Sequence, residues 1–186
     1  KVGDAHLIDL ASWHLNSSNY IADTLRLQQK FAYGKVLDFG GGIGTHTLAA
    51  TFLSDVEHIW FVDLNPQNRS FVKQRAKELG VEDQISVHRD LESVTNVKFD
   101  SVICLDVLEH LPDPSKQLEI FLEKLSPGGI ALMNWYFYKG KNDEYPFHFD
   151  DHDMVEKFFM TLQFNFIEVF HPFLITTRAY KPLKKS

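Results

Sequence analysis

The stretch VLDFGGGIGTHTLA, Val36 to Ala49, constrains the fold more than any other part of the chain. An apolar run, an aspartate, a glycine cluster and a helix-compatible segment follow one another, which is the order strand, tight loop, helix. Glycine has no Cβ, so a ligand can lie against the backbone, and free N–H groups at the start of the next helix face it. Three ligand classes compete for such a cradle. A phosphate-binding loop ends in Gly-Lys-Ser/Thr, whereas Gly44 is followed here by Thr45 and His46. The dinucleotide pattern G-x-G-x-x-G has its third glycine where Thr45 stands, which weakens that reading and leaves it open. The alternation Asp38-x-Gly40-x-Gly42-x-Gly44 better suits an adenosyl ligand without a pyrophosphate.

Strand and helix patterns keep alternating after the loop. KVLDF is a short buried strand, Thr45 to Leu53 a helix and HIWFVD a second strand. The next helix has Asn65 as its cap, Pro66 at its first position, Phe71, Val72, Ala76 and Leu79 along one side, and Gly80 just past its end. ISVHRD and FDSVICLD read as strands, Asp113-Pro114 starts a helix over Ser115 to Leu125, and SPGGIALMNW is a turn and a fifth strand. This order predicts an α/β fold with a parallel sheet. Residues 1–34 have helical spacing, with Gly34 as the stop. Beyond Trp135 the aromatic and acidic stretch WYFYKGKNDEYPFHFDDHD reads as a long functional loop, followed by a helix from Asp151 to Leu162. FNFIEVFH and FLITTRAY then pair as an antiparallel hairpin turning at His171-Pro172. The chain divides as an N-terminal cap (1–34), a core (35–135) and a ligand-facing remainder (136–186) of a single domain.

Composition narrows the class. A formal net charge of −6 argues against nucleic acid held through its phosphates, and the basic cluster Lys181 to Lys185 reads as a solvated tail. No apolar run is long enough to span a bilayer and no signal-peptide pattern appears, so neither membrane nor nucleic acid is expected as a partner and the cytoplasm is the default location. The single cysteine, Cys104, sits in the apolar run SVICL and reads as a buried thiol.

Taken together, these segments resemble a class I S-adenosylmethionine-dependent methyltransferase. VLDFGGGIG is similar to the family's first motif, whose glycine loop lies under the methionine and ribose of the cofactor. The resemblance implies a Rossmann-like seven-stranded fold, mostly parallel with a C-terminal antiparallel hairpin and helices on both faces. It also implies S-adenosyl-L-methionine as cofactor and S-adenosyl-L-homocysteine as product. Asp38, Gly40, Gly41, Gly42 and Thr45 match the loop. Asp63 matches the second-strand acid, whose carboxylate can accept from both ribose hydroxyls, and Leu64 would flank the adenine. Asp90 corresponds to the residue near the adenine amino group, with Leu91 as its apolar neighbour. FDSVICLDVLEHLPDP resembles the segment that closes the pocket around the methionine end, which implicates Leu105, Asp106, Val107 and His110. FHFDDHDMVEKFFMTLQFNFIEV looks like the tail of small-molecule methyltransferases, with Gln163 where glycine is usual. DNA adenine methylation is disfavoured, because Asn134-Trp135-Tyr136 follows the fifth strand and lacks the prolines of such enzymes.

Methyl transfer from a sulfonium is an in-line displacement, so the protein must position the nucleophile and exclude water. A base is needed where the acceptor arrives protonated. His110 and His148 are the candidates, and His152 reads as solvated. Asp150, Asp151 and Asp153 are explained by the helix N-terminus they begin, so no metal is expected. Tyr20, Trp135, Tyr136, Tyr138 and Phe147 are expected to line the pocket of a small-molecule acceptor, with Trp13, His14 and Tyr20 on a lid.

Overall fold

The computed structural model describes residues 4–172 and 175–183. Two helices, α1 (Asp4–Asn16) and α2 (Ser18–Phe31), lead into β1 (Gly34–Phe39). There follow α3 (Thr45–Ala50), β2 (Val56–Val62), α4 (Pro66–Leu79), β3 (Ile85–His88), β4 (Phe99–Cys104), α5 (Pro114–Lys124) and β5 (Leu125–Met133). The chain closes with α6 (His152–Asn165), β6 (Phe166–Phe170) and β7 (Arg178–Pro182). Single 3-10 turns occupy Glu82–Gln84 and Leu108–His110.

The seven strands form one sheet in the order β3-β2-β1-β4-β5-β7-β6. β1 to β5 run parallel, and β7 is antiparallel to both its neighbours. Alternating side chains supply the two faces. Leu37, Val102, Cys104, Ala131 and Met133 pack beneath Leu118 and Phe121 of α5 and Phe158 of α6. Val36, Ile103, Ile130 and Leu132 meet Leu27 of α2 and Ala50 of α3 on the other side. Helices on both faces explain why the central strands read as continuous apolar runs.

Local signals set the helix boundaries. The Asn65 side chain accepts from the Gln67 N–H, Pro66 opens α4, and Gly80 ends it in the left-handed region at φ 68°. Asp113 and Asp151 cap α5 and α6 in the same way. Three expectations change. Gly34 does not stop a helix: α2 ends at Phe31, and Gly34 begins β1. The helix α6 runs three residues past Leu162 and passes straight into β6, so no glycine is needed at Gln163. The last strand starts at Arg178, so the link from β6 is a longer excursion than a turn at His171-Pro172; Phe173 and Leu174 lie outside the described residues. Pairing with β5 on one side and β6 on the other selects which part of FLITTRAYKP becomes strand, and local propensity does not.

Candidate active site

The chain leaves β1 in one direction to build β2 and β3, and returns to build β4 and β5 on the other side. That reversal opens a crevice beyond the carboxyl ends of β1 and β4, where open α/β sheets bind ligands. The glycine loop, Asp63 and the Asp106–His110 segment follow β1, β2 and β4 respectively.

Gly40, Gly42 and Gly44 all have positive φ, at 72°, 57° and 76°. At Gly44 the constraint is double, because a Cβ would also lie 2.5 Å from Val72 Cγ2 of α4. A Cβ on Gly42, by contrast, would meet only Leu10 of α1, at 3.8 Å. The loop therefore packs tightly against the scaffold at Gly40, Gly41 and Gly44 and is open at Gly42, beneath α1. Asp38 lies under the loop, 3% exposed, and accepts a 2.5 Å hydrogen bond from the Thr47 hydroxyl of α3. Burial raises its carboxyl to about 6, with the neighbouring charge of Asp63 adding to the rise and Thr47 opposing it.

Asp63 is the hub of the loop. Its Oδ2 accepts from the Gly42 N–H at 3.0 Å and from Asn68 Nδ2 at 3.1 Å, and its Oδ1 from the Asn65 N–H at 2.7 Å. One carboxylate thus joins the glycine loop to the start of α4. Leu64 beside it is 72% exposed. Asp90 closes a turn, with its Oδ1 accepting from the Ser93 N–H at 3.0 Å, while Leu91 is buried in the core.

On the other side of the crevice, Val107 packs on Gly40. Asp106 holds a positive φ of 55°, uncommon without glycine, and the surrounding bonds hold it there. Its N–H donates to Asn134 Oδ1 at 2.6 Å, and Asn134 Nδ2 donates back to its Oδ1 at 2.7 Å. The Tyr20 hydroxyl donates to both Asp106 oxygens at 3.3 Å, and Asn134 Nδ2 also reaches the Tyr20 oxygen at 2.5 Å. Burial and the Asp106 charge push the Tyr20 hydroxyl far above its ordinary value, and burial raises Asp106 too. His14 of α1 meets the Thr45 hydroxyl through Nδ1 at 2.9 Å, so α1 and α2 both engage the crevice. Asn134 was not foreseen from sequence, although its place at the end of β5, beside the strand end of β4, marked it.

The expected acceptor residues divide. Along the extended segment after β5, Trp135 and Phe137 turn one way and Tyr136 and Tyr138 the other. Trp135 packs against Phe158, Phe159 and Tyr180, so it serves the core side. Tyr136 contacts Tyr138, Tyr145 and His148, and Tyr145 stacks on the His148 ring at 5.0 Å. Phe147 is 82% exposed, and its carbonyl accepts from His110 Nδ1 at 3.1 Å. The His110 and His148 rings stand 4.7 Å apart. Glu109, not foreseen as a site residue, lies beside them at 2% exposure, and burial together with the Asp106 charge raises its carboxyl to about 7. His152 and Asp153 are fully on the surface of α6. No helix among the described residues is long and apolar enough to cross a membrane.

A model of the methyltransferase domain family matches residues 12–159. An uncharacterised protein of Synechococcus is 32% identical over 127 residues, covering 67% of this chain and 30% of that protein. The ubiquinone biosynthesis O-methyltransferase of Xylella fastidiosa is 31% identical over 102 residues, covering 54% of this chain and 41% of the enzyme. The chain thus spans less than half the length of these two relatives. Among solved structures, the PH0226 protein of Pyrococcus horikoshii superposes with a TM-score of 0.70 at 17% identity, covering 89% of this chain and 91% of that one, a likeness of fold. The match spans the glycine loop, the acids at the strand ends and the segment after β5, and the chain belongs to the methyltransferase domain family.

Proposed function

We propose that the chain is an S-adenosylmethionine-dependent methyltransferase acting on a small organic acceptor. The observation that carries this reading is the bond from the Gly42 N–H to the Asp63 carboxylate, which joins a glycine cradle to a buried acid at the switch point of the sheet. In this reading Gly40, Gly41, Gly42 and Thr45 lie along the methionine and ribose, and Asp63 accepts from the ribose hydroxyls. Leu64 and Asp90 flank the adenine, while Leu105, Asp106, Val107 and His110 close the methionine end. Asp38 acts indirectly, by holding α3 to the loop through Thr47.

The acceptor enters between Tyr20 and the exposed faces of Tyr136, Tyr138 and Phe147, with residues 1–34 as its cap. Its nucleophile donates an electron pair to the methyl carbon, the carbon–sulfur bond breaks, and sulfur keeps the pair as S-adenosyl-L-homocysteine. His110 and His148 act on the nucleophile's proton. The buried Cys104 thiol suits a reducing cytoplasm, and the charge of −6 suits a small acceptor better than a polyphosphate.

Calorimetry with S-adenosylmethionine, S-adenosylhomocysteine and NAD tests the cofactor half: the adenosyl compounds bind and NAD does not, and the reverse sinks the reading. An acceptor screen that detects S-adenosylhomocysteine by mass spectrometry tests the catalytic half. Cofactor binding without turnover of any small acceptor would replace the enzyme with a non-catalytic binding partner.

A further inference from the structure

Glu109, His110 and His148 each offer a ligand atom, and these atoms all lie within 4.8 Å of one another. His110 Nδ1 faces the Phe147 carbonyl at 3.1 Å, and His148 Nδ1 faces the Tyr138 carbonyl at 3.1 Å. A carbonyl oxygen only accepts, so the proton of each neutral ring sits on Nδ1 and the lone pair is left on Nε2. Main-chain carbonyls commonly fix metal-ligating histidines in this way. Glu109 Oε2 is buried without a hydrogen-bond partner, which is costly for a carboxylate oxygen that nothing else satisfies. Among the described residues a second group, His152, Asp153 and Glu156, has similar spacing but is wholly exposed on α6 and lacks any such preparation.

We propose that Glu109, His110 and His148 bind one divalent cation of the zinc class, and that it receives the acceptor's hydroxyl. Two imidazole nitrogens with one carboxylate suit borderline zinc better than magnesium or manganese, which prefer oxygen ligands. Ligand bonds of about 2.0–2.2 Å require the triangle to draw in slightly, and three protein ligands leave positions open. The role at the acceptor rests on the methyltransferase reading. A hydroxyl bound to the cation loses its proton to water, its oxygen takes the methyl, and the sulfonium sulfur keeps the electron pair of the broken bond. The two histidines would then act on the nucleophile as ligands.

The test uses the intact chain after treatment with a chelator, titrated with zinc, manganese and magnesium chlorides by calorimetry, with cobalt absorption as a second readout of coordination. One equivalent of zinc binds, magnesium binds far more weakly, and Co²⁺ gives the intense visible bands of a low-coordinate site. Glu109→Gln and His148→Gln each weaken zinc about tenfold or more, whereas His152→Gln leaves it unchanged, with circular dichroism establishing that each variant is folded. No zinc binding by the folded wild-type chain overturns the proposal, as does binding that survives Glu109→Gln or is lost in His152→Gln. S-adenosylmethionine binding is measured on the same preparation. Cofactor bound without zinc removes the cation site and leaves the methyltransferase reading, and zinc bound without cofactor does the opposite.

Discussion

Two buried groups beside the glycine loop titrate in opposite directions, so their contributions to stability nearly cancel in mildly acidic solution. His46 of α3 is buried and bonded through Nε2 to the Thr24 hydroxyl at 2.9 Å, and burial, reinforced by the nearby His14, lowers it from 6.5 to about 4. Asp38 is raised from 3.8 to about 6. Between about pH 4 and 6 the unfolded chain carries a proton on His46 that the native state lacks, so acidification favours unfolding. In the same window the native state holds a proton on Asp38 that the unfolded chain has released, so acidification favours folding. Each gap corresponds to about 3 kcal/mol across the window, at a limiting slope of about 1.4 kcal/mol per pH unit.

Removing one partner exposes the other. In His46→Gln only the Asp38 contribution remains, so stability at pH 4 relative to pH 6.5 rises by about 3 kcal/mol over the wild-type difference. In Asp38→Asn the change has the opposite sign. Urea unfolding followed by tryptophan fluorescence at four pH values in this range measures both differences, and groups common to the three proteins drop out. Parallel stability profiles for wild type and His46→Gln would show that burial does not set the His46 protonation state, and parallel profiles for wild type and Asp38→Asn would show the same for Asp38.

Other consequences concern the site directly. Asp63→Ala should lose about 1–3 kcal/mol of S-adenosylmethionine affinity by calorimetry; unchanged affinity would mean that another acid holds the ribose. Gly44→Ala combines a positive φ with a Cβ 2.5 Å from Val72, whereas Gly80→Ala has the positive φ and open space around it. Urea unfolding should therefore show about 1 kcal/mol lost at Gly80 and a further 1–3 kcal/mol at Gly44. Deleting residues 1–20 should reduce acceptor turnover more than cofactor affinity, and equal loss of both in a folded protein would refute the cap. Tyr20→Phe should lower kcat/KM for the acceptor and leave cofactor binding intact.

Much of this architecture is visible in the linear chain because its signals are local. Val36-Leu37 in KVLDF and Val102-Ile103-Cys104 in SVICL are buried by helices on both faces and so stand out as short apolar runs, and Asn65-Pro66 with Gly80 brackets α4 on its own. The acid ending HIWFVD is legible for the same reason. What escapes sequence reading depends on distant partners. Leu91 is carried into the core, and Trp135 falls on the packed side of an extended segment whose twist no local pattern sets. Glu109 and His110 are adjacent to each other, but His148 reaches them only through the course of a long loop anchored by main-chain bonds such as Phe149 N–H to the Glu109 carbonyl at 2.8 Å. The aspartates at 150, 151 and 153 are the acids next to His148 and His152 in the linear chain, yet His152 and Asp153 stay on the surface of α6.

The sheet order also governs the sequence of assembly. β6 occupies the edge and pairs with β7 alone, while β7 pairs with β5 and β6. During synthesis β6 leaves the ribosome first and has no strand to join until residues 178–182 follow it. A chain released before Arg178 would therefore forfeit two strands and leave the Ile167 and Val169 segment, already partly exposed in the native state, as an unpaired edge open to pairing with other chains.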